Sequence, residues 1–354
     1  MPSQIAVITG AGSGIGRAAA LALGRAGFDI ALLGRDTERL QETARALDRH
    51  CVRSLTLSLD VADAQAVQAA AQTIEDKLGP IAVWANCAGA TIVGQVAALP
   101  AADIQRAMDV TYMGSVHGTL AALEVMRRRG VGTIINLDLA PALRGLPLQA
   151  VENGARAGLR GFCESLRPEL LHDADNIHVV MVNLPAINTP RYGWTRTLTG
   201  KPLHPYGPVY TPEVAAEAIC RAAFSTSRSI SIGPGNTLAT LWRTVLPRWR
   251  DNHLATHGYK AQMGHDWEDA PRPDDLHEPV AGGFAAKGVY DAKARRLDSP
   301  LSVFVSSDLR AGLLGAAAAL SLLRYAAISA AAVKAENHRT VRGMAQACPG
   351  FIEG

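Results

Sequence analysis

The chain has 354 residues, a formal net charge of +3, and 48% hydrophobic against 19% charged side chains. That length and balance build a large folded core and exclude a disordered chain. The small charge and the 5% aromatic content leave no basic, base-stacking surface of the kind a nucleic-acid partner needs. The five cysteines, Cys51, Cys87, Cys163, Cys220 and Cys348, are scattered with no C-x-x-C pair. They suit reduced thiols in a cytoplasmic protein, each a small buried apolar residue. Met1-Pro2-Ser3-Gln4 carries no basic n-region, so no secretory leader is expected.

In chain order, apolar runs predict strands at Ile5–Ile8, Ile30–Leu33, Ser54–Ser58, Ile81–Ala85, Thr133–Leu137, His178–Asn183 and Ser229–Ile232. Helix-length stretches separate them. That alternation predicts an α/β fold: a doubly wound, Rossmann-like parallel sheet of about seven strands with helices on both faces. Gly233-Pro234-Gly235-Asn236 marks a break, dividing the chain into a dinucleotide-binding domain, 1–235, and a C-terminal extension, 236–354. In the extension Leu238–Trp249 reads as a helix, and the stretch after it as an extended tail wrapping the core surface. Residues 308–333 read as an Ala-rich helix. Its uncharged part, Ala311–Leu323, ends at Arg324 and is shorter than the ~20 residues a membrane span needs. An oligomer-interface or buried helix is expected there, with peripheral membrane contact as the alternative.

Directly after the first strand stands Thr9-Gly10-Ala11-Gly12-Ser13-Gly14-Ile15-Gly16, and directly after that a helix start. Glycines there permit positive φ, let the backbone approach a phosphate, and place it at a positive helix N-terminus. The spacing T-G-x-x-x-G-x-G resembles the short-chain dehydrogenase/reductase family, and further parts of that pattern stand along the chain in order. Asn86-Cys87-Ala88-Gly89 resembles the N-N-A-G segment, with Cys87 for the second Asn. Asp60-Val61 resembles the pair whose Asp bonds the adenine. Pro185-Ala186-Ile187-Asn188-Thr189 resembles P-G-x-x-x-T beside the nicotinamide, with Ala186 for Gly. The resemblance covers residues 3 to about 235. It implies a cofactor site made of Gly10, Ser13, Gly14, Ile15, Gly16, Asp60, Val61, Asn86, Ala88, Gly89, Pro185 and Thr189. Gly34 ends the second strand where a carboxylate would bind the ribose and repel a 2′-phosphate, and Arg35 is next in the chain. NADP(H) is therefore expected over NAD(H), with Arg35 pairing the phosphate. The alternative is that Arg35 and Asp36 cap or pair on the next helix.

The resemblance also implies a catalytic Ser, Tyr, Lys and Asn, and all four positions are changed. They hold Leu139, Glu152, Arg156 and Thr111. No Tyr lies between Tyr112 and Tyr192, and no Lys between Lys77 and Lys201, so no shift of register restores the tetrad. Glu152 and Arg156 are one helical turn apart and suit an ion pair. Arg156 could still donate to the nicotinamide ribose. An ionised Glu152 could act as a general base but not as an acid. Tyr192 is the best spare proton donor. Asp138, His117 and Asn188 could reach the same crevice, although Asp138 could pair locally and His117 reads as a packed helix residue.

No metal site is expected. His253 and His257 share a helical face without a further ligand, and His265, Asp266, Glu268 and His277 read as a charged surface loop. The sequence therefore supports an NADP(H)-binding enzyme with atypical chemistry on a small apolar substrate, possessing either a substitute proton donor or Glu152 as base in a non-redox step. The alternative is a non-catalytic nucleotide-binding scaffold or regulatory partner. A dimer or tetramer is the resemblance's implication.

Overall fold

Strand Ile5–Thr9 (β1) is buried along its whole length, so it lies inside a sheet covered on both faces. The computed structural model describes residues 4–140, 143–232, 247–263, 273–282, 285–296 and 304–306. Its main sheet adds β2 (Asp29–Gly34), β3 (Ser54–Ser58), β4 (Ile81–Asn86), β5 (Val131–Leu139), β6 (Asn176–Leu184) and β7 (Ser229–Ile232). These seven run parallel in the order β3-β2-β1-β4-β5-β6-β7, the doubly wound arrangement expected from the strand–helix alternation. Phe304–Ser306 (β8) adds one antiparallel strand beside β7.

Alternate residues of β1 enter opposite layers. Ala6 and Ile8 join an apolar cluster with Leu23, Leu40 and Ile219, from helices α1 (Gly14–Arg25), α2 (Thr37–Leu47) and α8 (Pro212–Ala223). Ile5 and Val7 join another with Ile74, Met126 and Leu159, from α3 (Ala64–Lys77), α5 (Gly114–Arg127) and α6 (Ala150–His172). Helix α4 (Ala101–Met108) runs into α5 through one π-helical turn, Asp109–Met113. Side-chain caps start α2 and α3: Asp36 accepts from the Arg39 amide, and Asp63 from those of Gln65 and Ala66. Ser13, ahead of α1, makes no such cap.

The chain divides into two compact units, 1–307 and 308–354. The second, with its Ala-rich stretch 308–333, lies outside the described residues. So do residues 238–246 of the expected Leu238–Trp249 helix. Its described end is corrected: helix Pro247–His253 (α9) passes Trp249 into a π-helical turn, Leu254–Gly258. The reason is that no Gly or Pro stands between Pro247 and Gly258. The tail is not wholly superficial either, because Leu276 is fully buried. Among the described residues no helix is long and apolar enough to cross a membrane, and no three metal-binding side chains cluster.

Candidate active site

Strand order reverses between β1 and β4, which opens a crevice at the carboxyl ends of these strands. Two turns frame it. Thr9 Oγ accepts from the amides of Cys87 (3.0 Å) and Ala88 (3.1 Å), tying the turn after β4 to the turn after β1. Gly10 has φ +67°, and a Cβ there would lie 2.9 Å from the Ala88 nitrogen. A Cβ on Gly16 would lie 2.2 Å from the Gly10 carbonyl oxygen. Only glycine fits either place. The turn delivers the N-terminus of α1 to the crevice without a side-chain cap, its Gly14 amide donating to the Ala285 carbonyl (3.3 Å), and its amides and dipole suit a diphosphate. The cradle thus fits a dinucleotide.

One cavity of about 290 Å³ runs from this turn to the loop after β6. It is lined by Gly10, Ser13, Gly14, Ile15, Gly16, Arg35, Asp60, Val61, Ala88, Gly89, Arg156, Pro185 and Thr189. Asn86 is a correction, because it is fully buried beneath the cavity and does not line it. Its side chain accepts from Trp84 Nε1 (2.9 Å) and donates to Asn136 Oδ1 (2.9 Å), holding β4 to β5. Cys87 also lines the cavity, and burial pushes its thiol up to about 12, against a smaller opposing pull from Arg156.

At the catalytic end Glu152, Arg156 and Arg191 converge. Both Glu152 oxygens accept from Arg191, which stands on a short helix, Arg191–Trp194 (α7), in the loop after β6. Glu152 Oε1 also meets Arg156 Nε at 3.4 Å. Burial would raise the Glu152 carboxyl, but the two guanidiniums outweigh it and hold it below its ordinary value. Glu152 is therefore ionised at neutral pH and engaged on both oxygens, a poor acid and a weakened base. Arg156 donates a second bond to the Leu137 carbonyl (3.0 Å), and its Nη2 lies beside Gly89. Arg191 escaped the sequence reading. A basic residue two places after Thr189, in the loop that covers the substrate end, was the available signal.

Tyr192 lines the same end and packs edge-on against Tyr290, with centroids 5.5 Å apart. Burial raises its hydroxyl above the ordinary phenol value, partly countered by Arg191, so it keeps its proton. Asp138 is nearly inaccessible and bonds Arg144 (2.7 Å) and Arg160 (2.9 Å). Those two cations place it in a structural ion-pair cluster. Thr111 Oγ accepts from the Ala90 amide (2.9 Å) and donates to the Ala90 carbonyl (2.6 Å), so it fixes the turn after β4. His117 Nδ1 pairs with the Val61 carbonyl at 3.0 Å. Asn188 faces away from the cavity and bonds Asp291 Oδ1 (3.0 Å) and the Tyr290 amide (3.0 Å).

At the other end, Arg35 donates to the carbonyls of Asp275 (2.6 Å) and His277 (2.7 Å). Asp60 accepts from Arg106 (2.5 Å) and from the Ala62 amide (2.9 Å). His277, expected in a charged surface loop, is exposed and bonds the Asp103 carboxylate at 3.1 Å. His265, Asp266 and Glu268 lie outside the described residues.

The family model described as short chain dehydrogenase matches residues 4–196. The chain belongs to the short chain dehydrogenase family. It is 27% identical over 329 residues to an uncharacterized oxidoreductase, YxnA, of Bacillus subtilis, covering 92% of this chain and 91% of that one. It is 27% identical over 256 residues to the 3-ketodihydrosphingosine reductase of Bos taurus, covering 70% and 76%. An alcohol dehydrogenase from the archaeon Thermococcus sibiricus, solved in complex with 5-hydroxy-NADP, shares the fold at a TM-score of 0.56 and 22% identity. That likeness covers 65% of this chain and 95% of the other.

Proposed function

We propose that this chain is an NADP(H)-linked oxidoreductase that reduces a small apolar carbonyl compound, with Tyr192 in place of a Tyr–Lys pair as proton donor. One observation carries the reading: an intact glycine cradle opens into an apolar chamber holding a protonated tyrosine, while Glu152 is locked between two arginines. Gly34 and Arg35 favour the 2′-phosphorylated nucleotide. The start of α1 would hold the diphosphate, and Arg156 the nicotinamide ribose. The oxidoreductase names of YxnA and the Bos taurus reductase support redox chemistry.

Leu139, Leu143, Leu146 and Leu203 wall the substrate end and exclude water from an apolar ligand. The bound nicotinamide supplies the hydride. The Tyr192 hydroxyl donates its proton to the substrate oxygen as that oxygen gains negative charge, and solvent returns a proton to the phenolate. The hydroxyl keeps its proton at neutral pH, and an alkoxide is more basic than a phenolate, so the proton passes to the substrate oxygen; burial makes Tyr192 a weaker acid than an ordinary phenol and works against the rate. Family habit adds assembly into a dimer or tetramer, which light scattering tests.

The assay is loss of NADPH absorbance with a panel of small apolar ketones and aldehydes. Tyr192→Phe is expected to lower kcat by on the order of 10²- to 10⁴-fold with little change in KM. Wild-type turnover in that variant would overturn the reading. The missing Ser, Tyr and Lys favour a second reading, a non-catalytic nucleotide binder. Saturable NADPH binding with no turnover of any compound selects it.

A further inference from the structure

Resting on the cradle just described, we infer that residues 274–277 occupy the adenosine half of the crevice, and that a nucleotide must displace them to bind. The half beside the ends of β2 and β3 is where the adenosine of a dinucleotide lies in this architecture. Three groups there would face it: Arg35, Asp60 and the apolar wall that includes Val61 and Val110. Each is engaged by the strap or by its partner. Arg35 holds the carbonyls of Asp275 and His277. Arg106 bridges the Asp60 carboxylate (2.5 Å) to the Leu276 carbonyl (3.1 Å). Leu276 itself is fully buried in the apolar cluster that contains Val61 and Val110.

The closed arrangement is not fully satisfied. Asp275 Oδ1 is buried with no hydrogen-bond partner among the described residues. A buried carboxylate oxygen left unpaired opposes that arrangement. Arg35, donating to two main-chain carbonyls, is also weakly matched there, since it would bond an anion more strongly. The strap is thus held firmly enough to fill the site and loosely enough to yield to a phosphorylated ligand. Its anchors nearby, Arg196 on Asp274 (3.0 Å) and the Asp275 amide on the Trp194 carbonyl (3.1 Å), join it to the loop that carries Arg191 and Tyr192. Displacement by the adenosine end would therefore be felt at the catalytic end.

When a binding-competent state is rare, apparent affinity falls by the fraction populated. Leu276→Asp, which cannot stay in the apolar slot, is expected to bind NADPH at least ~10-fold more tightly than wild type by fluorescence titration. Hydrogen exchange on the wild-type chain supplies a check that needs no variant: NADPH is expected to speed exchange across 274–277. Equal or weaker NADPH binding by a folded Leu276→Asp, or slower exchange on adding NADPH, overturns the displacement and leaves the cradle standing. Failure of wild type and variant alike to bind any nucleotide overturns both, because the cradle itself is then misread.

Discussion

Removing Arg191 tests the charge cluster most sharply. Glu152 is 6% exposed and has three guanidinium contacts, two from Arg191 and one from Arg156 at 3.4 Å. Arg191→Met deletes two of the three and leaves the carboxylate with its longest one. Breaking a buried pair by removing one partner costs about 3–5 kcal/mol. The Arg191 side chain is 31% exposed and Arg156 remains, so the lower end applies, about 3 kcal/mol. For a chain of this size that is a fall in Tm of roughly 4 °C. The double variant Arg191→Met with Glu152→Gln removes the stranded charge and is expected to be more stable than Arg191→Met alone by about 2 kcal/mol. Thermal unfolding of the three proteins at pH 7 provides the numbers. A single variant within about 0.5 kcal/mol of wild type would refute the reasoning, since it would mean Glu152 does not depend on Arg191.

The same cluster sets a pH dependence. Glu152 is held below its ordinary value of 4.5, so the folded state binds that proton less readily than the unfolded state. Its stabilisation is complete above 4.5 and is lost as pH falls through the lowered folded value. The stability difference between wild type and Glu152→Gln, from denaturant melts, should stay level well above 4.5 and shrink below it; a difference that grows on acidification contradicts the assignment. Gly16→Ala puts a methyl 2.2 Å from the Gly10 carbonyl. Overpacking against backbone costs about 1–3 kcal/mol, and a loss near the top of that range with weakened nucleotide binding is expected. An unchanged melting curve would show that the turn has room the structure denies it.

Much of the fold was legible because its signals are local. The seven parallel strands show as apolar runs or, in Ser54–Ser58 and Ser229–Ile232, as alternation of apolar and polar residues, and the glycine turn declares itself by standing between Ile8 and a helix start. The reading of Leu139, Glu152 and Arg156 as the family's catalytic positions rests on their flanks. What the sequence could not show are partners brought together across long separations. Arg191 meets Glu152 over 39 residues. Arg35 meets Asp275 over 240, through main-chain carbonyls that any residue type supplies. Asp138 read as a candidate in the crevice because Arg144 and Arg160, its partners, sit on the loop and helix after β5 with no periodic relation to it. Asn86 matched the family's motif, yet its side chain turns under the crevice toward Trp84 and Asn136, a choice fixed by packing rather than by spacing.

Nucleotide titration of the wild-type chain, with NADPH and NADH in parallel, tests the account at its root. Saturable binding of both, tighter for NADPH, is the expected result of a glycine cradle beside Gly34 and Arg35. Absence of binding by either nucleotide up to about 1 mM would contradict it.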